Sequence, residues 1–130
     1  MRLERAERGA PAAVFAHMRW ILPLVFLLAA CSKGPQADLP YIGQARSLAA
    51  EWALVNEQAV EGKLTGSYVQ TMRQSAREQL QTSEKALSQP QSDYAQEITA
   101  ILKQPDDASP AALRAHASKL KQIEDSLESS

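Results

Sequence analysis

The chain has 130 residues, 45% hydrophobic and 22% charged, with a formal net charge of −1. That length suits one small domain, and the balance of charge excludes the strongly basic surface expected of a nucleic-acid binder. A single cysteine, Cys31, excludes an internal disulfide, so the fold must be held by packing alone.

Met1 to His17 carries Arg2, Glu4, Arg5, Glu7 and Arg8 with no apolar period. This stretch reads as an upstream extension or a long n-region, and Met18 as the expected start of translation. Met18-Arg19 is followed by the apolar run Trp20-Ile-Leu-Pro-Leu-Val-Phe-Leu-Leu-Ala-Ala-Cys31. The run is about half of the ~20 residues that a membrane-spanning helix needs. A basic residue, a short apolar stretch and small residues before a cut describe a secretory signal.

The tetrad Leu28-Ala29-Ala30-Cys31 resembles the lipobox of bacterial lipoprotein precursors. The resemblance implies cleavage between Ala30 and Cys31, a diacylglycerol on the Cys31 thiol and, usually, an acylated new amino terminus. Each buried methylene adds about 0.8 kcal/mol of membrane affinity, so two or three chains anchor durably. Ser32 follows the cysteine, where an Asp tends to retain enteric lipoproteins in the inner membrane, so the resemblance leans towards the outer membrane. The resemblance covers the first third of the chain. Murein-linked lipoproteins are uninterrupted heptad coils, whereas this chain is broken by glycine and proline turns.

With residues 1–30 removed, four of the 14 basic and two of the 15 acidic residues go too, leaving ten against thirteen. Both phenylalanines, Phe15 and Phe26, leave as well, so the core must rely on Ala, Leu, Ile and Val around Tyr41, Trp52, Tyr68 and Tyr94. Ser32 to Ala37 reads as a tether after Cys31 (residues 31–37), at most about 20 Å long. The domain is expected over residues 38–130.

Asp38-Leu39-Pro40 predicts a helix start, with Asp38 as N-cap and proline in the first turn. Tyr41, Ala45, Leu48, Trp52, Val55 and Ala59 then recur at helical spacing, and Gly62 stands where a glycine ends a helix. Thr65 predicts the next N-cap, with Leu64 and Val69 as a hydrophobic staple. The second apolar face is Val69, Met72, Ala76, Leu80, Ser83 and Leu87. The short intervening loop makes these helices an antiparallel αα-hairpin. Ser92 caps a shorter helix carrying Tyr94, Ile98, Ile101 and Leu102. Ser109-Pro110 starts a last one carrying Leu113, Ala117, Leu120, Ile123 and Leu127. No strand alternation or hairpin signal occurs. The expectation is all-α: a small antiparallel helical bundle, the hairpin plus two shorter helices, or plus one if Tyr94 to Leu102 is a connector.

Chemistry is sparse. His116 has Ala112, Leu113, Lys119 and Leu120 as helical neighbours and no carboxylate among them, so a catalytic histidine is not indicated. Zinc spacings, HExxH and the EF-hand loop are absent, and Glu57 with Glu61 reads as a solvated face. Gly62-Lys63-Leu64-Thr65-Gly66 lacks the spacing of a phosphate loop. No catalytic residue, metal or cofactor is therefore expected. Two features are candidates for an interaction surface. Trp52 sits mid-face on the first helix, where an aromatic is either core or the floor of a groove. Arg73 and Arg77, one turn apart and flanked by Gln70, Gln74, Glu78 and Gln81, are either solvated or positioned for an acidic partner or lipid head group. The function expected is that of a periplasmic interaction or accessory module, with an envelope protein as partner. A small-ligand or metal-binding bundle is the alternative.

Overall fold

The computed structural model describes residues 34–130. Ala30 and Cys31 lie outside the described residues, and so do the expected signal, the upstream extension and residues 31–33 of the expected tether.

A 3₁₀ turn, Pro35–Asp38, leads into four helices: α1 (Leu39–Val60), α2 (Gly66–Ala86), α3 (Asp93–Leu102) and α4 (Pro110–Glu128). The architecture is all-α, and Tyr94 to Leu102 forms a true helix, not a connector. At 1.5 Å per residue α1 is about 33 Å long.

Local chemistry fixes the ends. The Thr65, Ser92 and Ser109 side chains accept from the backbone N–H groups of Tyr68, Ala95 and Ala112, satisfying donors that a helix start leaves open. Helix α1 stops at Gly62, whose φ of 72° is the left-handed conformation that favours glycine. There Gly62 N–H donates to the Ala59 carbonyl and Lys63 N–H to the Gln58 carbonyl, the paired bonds of a Schellman stop.

Helix α1 is the spine. It packs most extensively against α4 and next against α2, while α3 packs against α2 and α4. Facing two neighbours, α1 buries Ile42, Ala49 and Ala53 besides Ala45, Leu48, Trp52 and Val55. Leu80, Ile98, Ile101, Leu113 and Leu120 complete a core of fully buried side chains. Alanines on α1 let the neighbouring helices approach closely, and larger residues from α3 and α4 fill the space between.

Gly34 to Ala37 belong to the fold and not to a tether. Within the turn, Ala37 N–H donates to the Gly34 carbonyl at 3.0 Å. Ser88 Oγ donates to that carbonyl at 3.2 Å, and Gln36 Nε2 reaches Ser130 Oγ at 3.2 Å. Among the described residues, no helix is long and apolar enough to cross a membrane.

Candidate functional site

Trp52 and Arg77 meet inside the bundle. Trp52 is 1% exposed, so it is core and presents no surface to a partner. The Arg77 guanidinium lies 4.7 Å above the indole centroid, a cation–π contact. Of the two readings open from sequence, core or the floor of a groove, the packing of α2 over α1 makes Trp52 core.

Every nitrogen of the Arg77 fork is engaged. Nε donates to Asp106 Oδ1 at 2.8 Å, Nη1 to the Leu102 carbonyl at 2.8 Å and Nη2 to the Gln104 carbonyl at 2.5 Å. Those carbonyls lie at the C-terminal end of α3, where a helix leaves acceptors open and partial negative charge accumulates. Arg77 therefore closes α3 and fastens the turn to α4. It is structural, and the sequence reading of a solvated or partner-facing Arg77 is corrected on that ground.

The same turn is gripped from α1. Trp52 Nε1 donates to the Asp106 carbonyl at 3.0 Å. Asn56, 2% exposed, uses Nδ2 to donate to the Asp106 carbonyl at 3.0 Å and to the Ala108 carbonyl at 2.8 Å. Its Oδ1 accepts from Arg73 Nε at 2.8 Å. A buried amide fixed on both sides thus sets the direction of the Arg73 side chain.

Arg73 differs from the other arginines of the described residues. Arg46 faces Glu124, Arg77 faces Asp106 and Arg114 faces Glu57, each within ion-pair distance. Arg73 faces only the neutral Asn56, and its two Nη groups make no hydrogen bond among the described residues. It opens on a groove of about 480 Å³ lined by Gly66, Gln70, Arg73, Gln74, Arg77 and Asp106.

Two further polar centres tie helices together. The Asp38 carboxylate, 1% exposed, accepts from Ser88 N–H at 2.8 Å, Gln89 N–H at 3.3 Å and Tyr94 Oη at 2.5 Å. Asp38 stands at the N-cap of α1, yet its side chain makes no cap bond; it serves the turn between α2 and α3. Burial, and after it the hydrogen bond to Asp38, pushes the Tyr94 hydroxyl from 10.0 up to about 12.

The second centre corrects the reading of His116. Glu97 of α3, a buried residue, places Oε1 2.5 Å from His116 Nδ1, and Lys119 Nζ lies 3.3 Å from Oε2. The carboxylate missing from the histidine's own helix comes from the helix packed against it. Gln104 Nε2 lies 3.4 Å from His116 Nε2. These contacts join α3, the turn after it and α4, so the centre acts as a cross-helix pin.

Glu57 and Glu61 do not converge: Glu57 pairs with Arg114 and Glu61 with Lys63 at 2.8 Å. Among the described residues, no group of three His, Cys, Asp or Glu side chains is placed to hold a metal ion. Large apolar side chains remain exposed at Leu54 (48%), Val60 (87%) and Tyr68 (49%). Val60 and Tyr68 flank the α1–α2 turn. No protein-family model, curated protein or solved structure matches this chain.

Proposed function

We propose that this protein is a bacterial envelope lipoprotein: Cys31 is acylated and anchors the chain, and the helical bundle acts in the periplasm as a non-enzymatic interaction or accessory module. The observation that carries the reading is the run Trp20 to Cys31 with its Leu28-Ala29-Ala30-Cys31 ending, followed within a few residues by a folded unit that begins at Gly34. Three residues separate Cys31 from Pro35. An extended chain of that length spans only about 10 to 14 Å, which keeps an anchored bundle close to the lipid surface. The exposed Val60 and Tyr68 at one turn, and the groove beside Arg73, supply surface for a partner. Ser32 favours the outer membrane over the inner.

Acylation is tested in cells with an alkyne analogue of palmitate. The wild-type chain is expected to incorporate label, to lose residues 1–30 and to fractionate with membranes; Cys31→Ala is expected to do none of these. An unlabelled, uncleaved wild-type chain would overturn the lipoprotein reading. The accessory role is tested by in-cell cross-linking of the tagged protein, with one stoichiometric envelope protein as the expected product.

A small-ligand bundle is the second reading, and the polar groove on α2 is the feature that favours it. It predicts a rise in melting temperature on adding a metabolite, which an interaction module does not.

A further inference from the structure

We propose that the groove along α2 binds a carboxylate carried by an extended segment of a partner protein, with Arg73 as the residue that receives it. The inference gives the interaction-module reading a ligand chemistry, and it rests on that reading for its biological setting only.

The first observation is charge. Arg73 has an amide as its side-chain partner, whereas each of the other described arginines has a carboxylate. Its positive charge is left uncompensated by any ion pair among the described residues.

The second is orientation. A flexible arginine gains little from pairing because ordering it costs entropy. Here Nε is already held at 2.8 Å by Asn56, and Asn56 is held by two backbone carbonyls. The fork is therefore ordered before any ligand arrives, which removes part of that cost. With Nε occupied, Nη1 and Nη2 remain as the parallel pair that a planar carboxylate accepts end-on.

The third is shape. The groove runs from Gly66 to Arg77, and eleven helical steps cover about 16 Å, the length of roughly five extended residues. A free small acid is usually held in a site that buries most of its surface, whereas this groove lies open along one side of α2. Gly66 offers no side chain at one end: a Cβ built there meets nothing within 4 Å. The Gln70 and Gln74 side chains line the groove between Gly66 and Arg77, and such amides can both donate to and accept from a peptide backbone. Asp106 also lines the groove, paired with Arg77, and its charge opposes a polyanion such as a phosphate cluster more strongly than a single carboxylate.

The experiment uses the full chain purified in non-ionic detergent, at low salt, with calorimetric titration of three probes. These are a blocked pentapeptide with a central glutamate, its glutamine counterpart, and acetate. The glutamate peptide is expected to bind at least about tenfold more tightly than either of the others, a difference of about 1.4 kcal/mol. Equal binding of the glutamine peptide would overturn the carboxylate, and equal binding of acetate would overturn the extended segment. Arg73→Gln is expected to abolish the preference. Because that change also releases Asn56, Gln70→Glu provides an independent variant at an exposed position. A glutamate three residues before Arg73 would compete for the fork from within and reduce peptide binding about two- to threefold. Retention of full affinity by folded Gln70→Glu would overturn the assignment of Arg73. Peptide binding is read on purified protein and acylation in cells, so either proposal can fail without the other.

Discussion

The Glu124 carboxylate of α4 lies directly over Gly43 of α1, where an added Cβ would stand 2.6 Å from Oε2. A mid-helix glycine ordinarily costs about 1 kcal/mol against alanine. Here it makes room for Glu124, which is buried and accepts from Arg46 Nε at 3.0 Å.

Gly43→Ala is therefore expected to be coupled to Glu124. In a Glu124→Ala background the substitution should stabilise by about 1 kcal/mol, the ordinary helix gain. In the wild-type background that gain should vanish or reverse, because Arg46 and Glu124 must separate. A double-mutant cycle by urea denaturation should give a coupling of about 1 kcal/mol or more. Additivity within about 0.3 kcal/mol would refute it.

Arg77→Ala is expected to destabilise by about 3 kcal/mol, since it strips the Leu102 and Gln104 carbonyls and Asp106 of their donor. Arg77→Lys should recover little of this, because an ammonium group cannot reach three acceptors set for a planar fork. Denaturation midpoints of the two variants check the point, and full rescue by lysine would contradict the bonding described.

Tyr94 gives the fold an alkaline limit. Its hydroxyl stays protonated in the folded chain up to about pH 12 and ionises near 10.0 when exposed, so between those values the unfolded chain holds fewer protons. Stability is full below pH 10 and falls as pH rises through this window, by on the order of 2 kcal/mol. Tyr94→Phe should be less stable than wild type at pH 7 by about 1 to 2 kcal/mol. It should also lose this contribution to the alkaline decline. Parallel alkaline slopes for the two proteins would exclude Tyr94 as its source.

Trp52 is the sole tryptophan among the described residues. Its emission should be blue-shifted and poorly quenched by iodide in the folded state, as expected at 1% exposure. Trp52→Phe keeps an aromatic ring under Arg77 but loses the bond to the Asp106 carbonyl. A cost of about 1 to 2 kcal/mol is expected from denaturation curves.

What could be read from the sequence was local. The Thr65, Ser92 and Ser109 caps and the Gly62 stop rest on residues within a few positions of one another, and the structure contains each of them. The single apolar stripe assigned to α1 omitted Ile42, Ala49 and Ala53, because a helix between two partners buries more than one stripe and weakens its own periodicity. Side chains acting across helices were not legible. Asp38 finds its partners 50 to 56 positions away, and His116 finds its carboxylate 19 positions away. Arg77 turned inward because the residues after α3 present carbonyls to it, and no pattern within α2 encodes that. Nor does the sequence separate Arg73 from Arg77: neither has an acidic residue three or four positions away on α2, and only the packed structure gives Arg77 a carboxylate and Arg73 an amide.

Asp38 also determines how the domain would answer a pull. Tension applied through the chain before Gly34 reaches the fold at the 3₁₀ turn, where the Ser88 hydroxyl and the Asp38 carboxylate bind the entering chain to the α2–α3 turn. Peeling α1 away would first require the Gly34 bond and then the Asp38 bonds to break. The carboxylate thus works as a mechanical clip, sharing load between the first helix and a turn about fifty residues further along. A chain pulled from its amino-terminal side would unravel from that end, and the clip is where this fold resists.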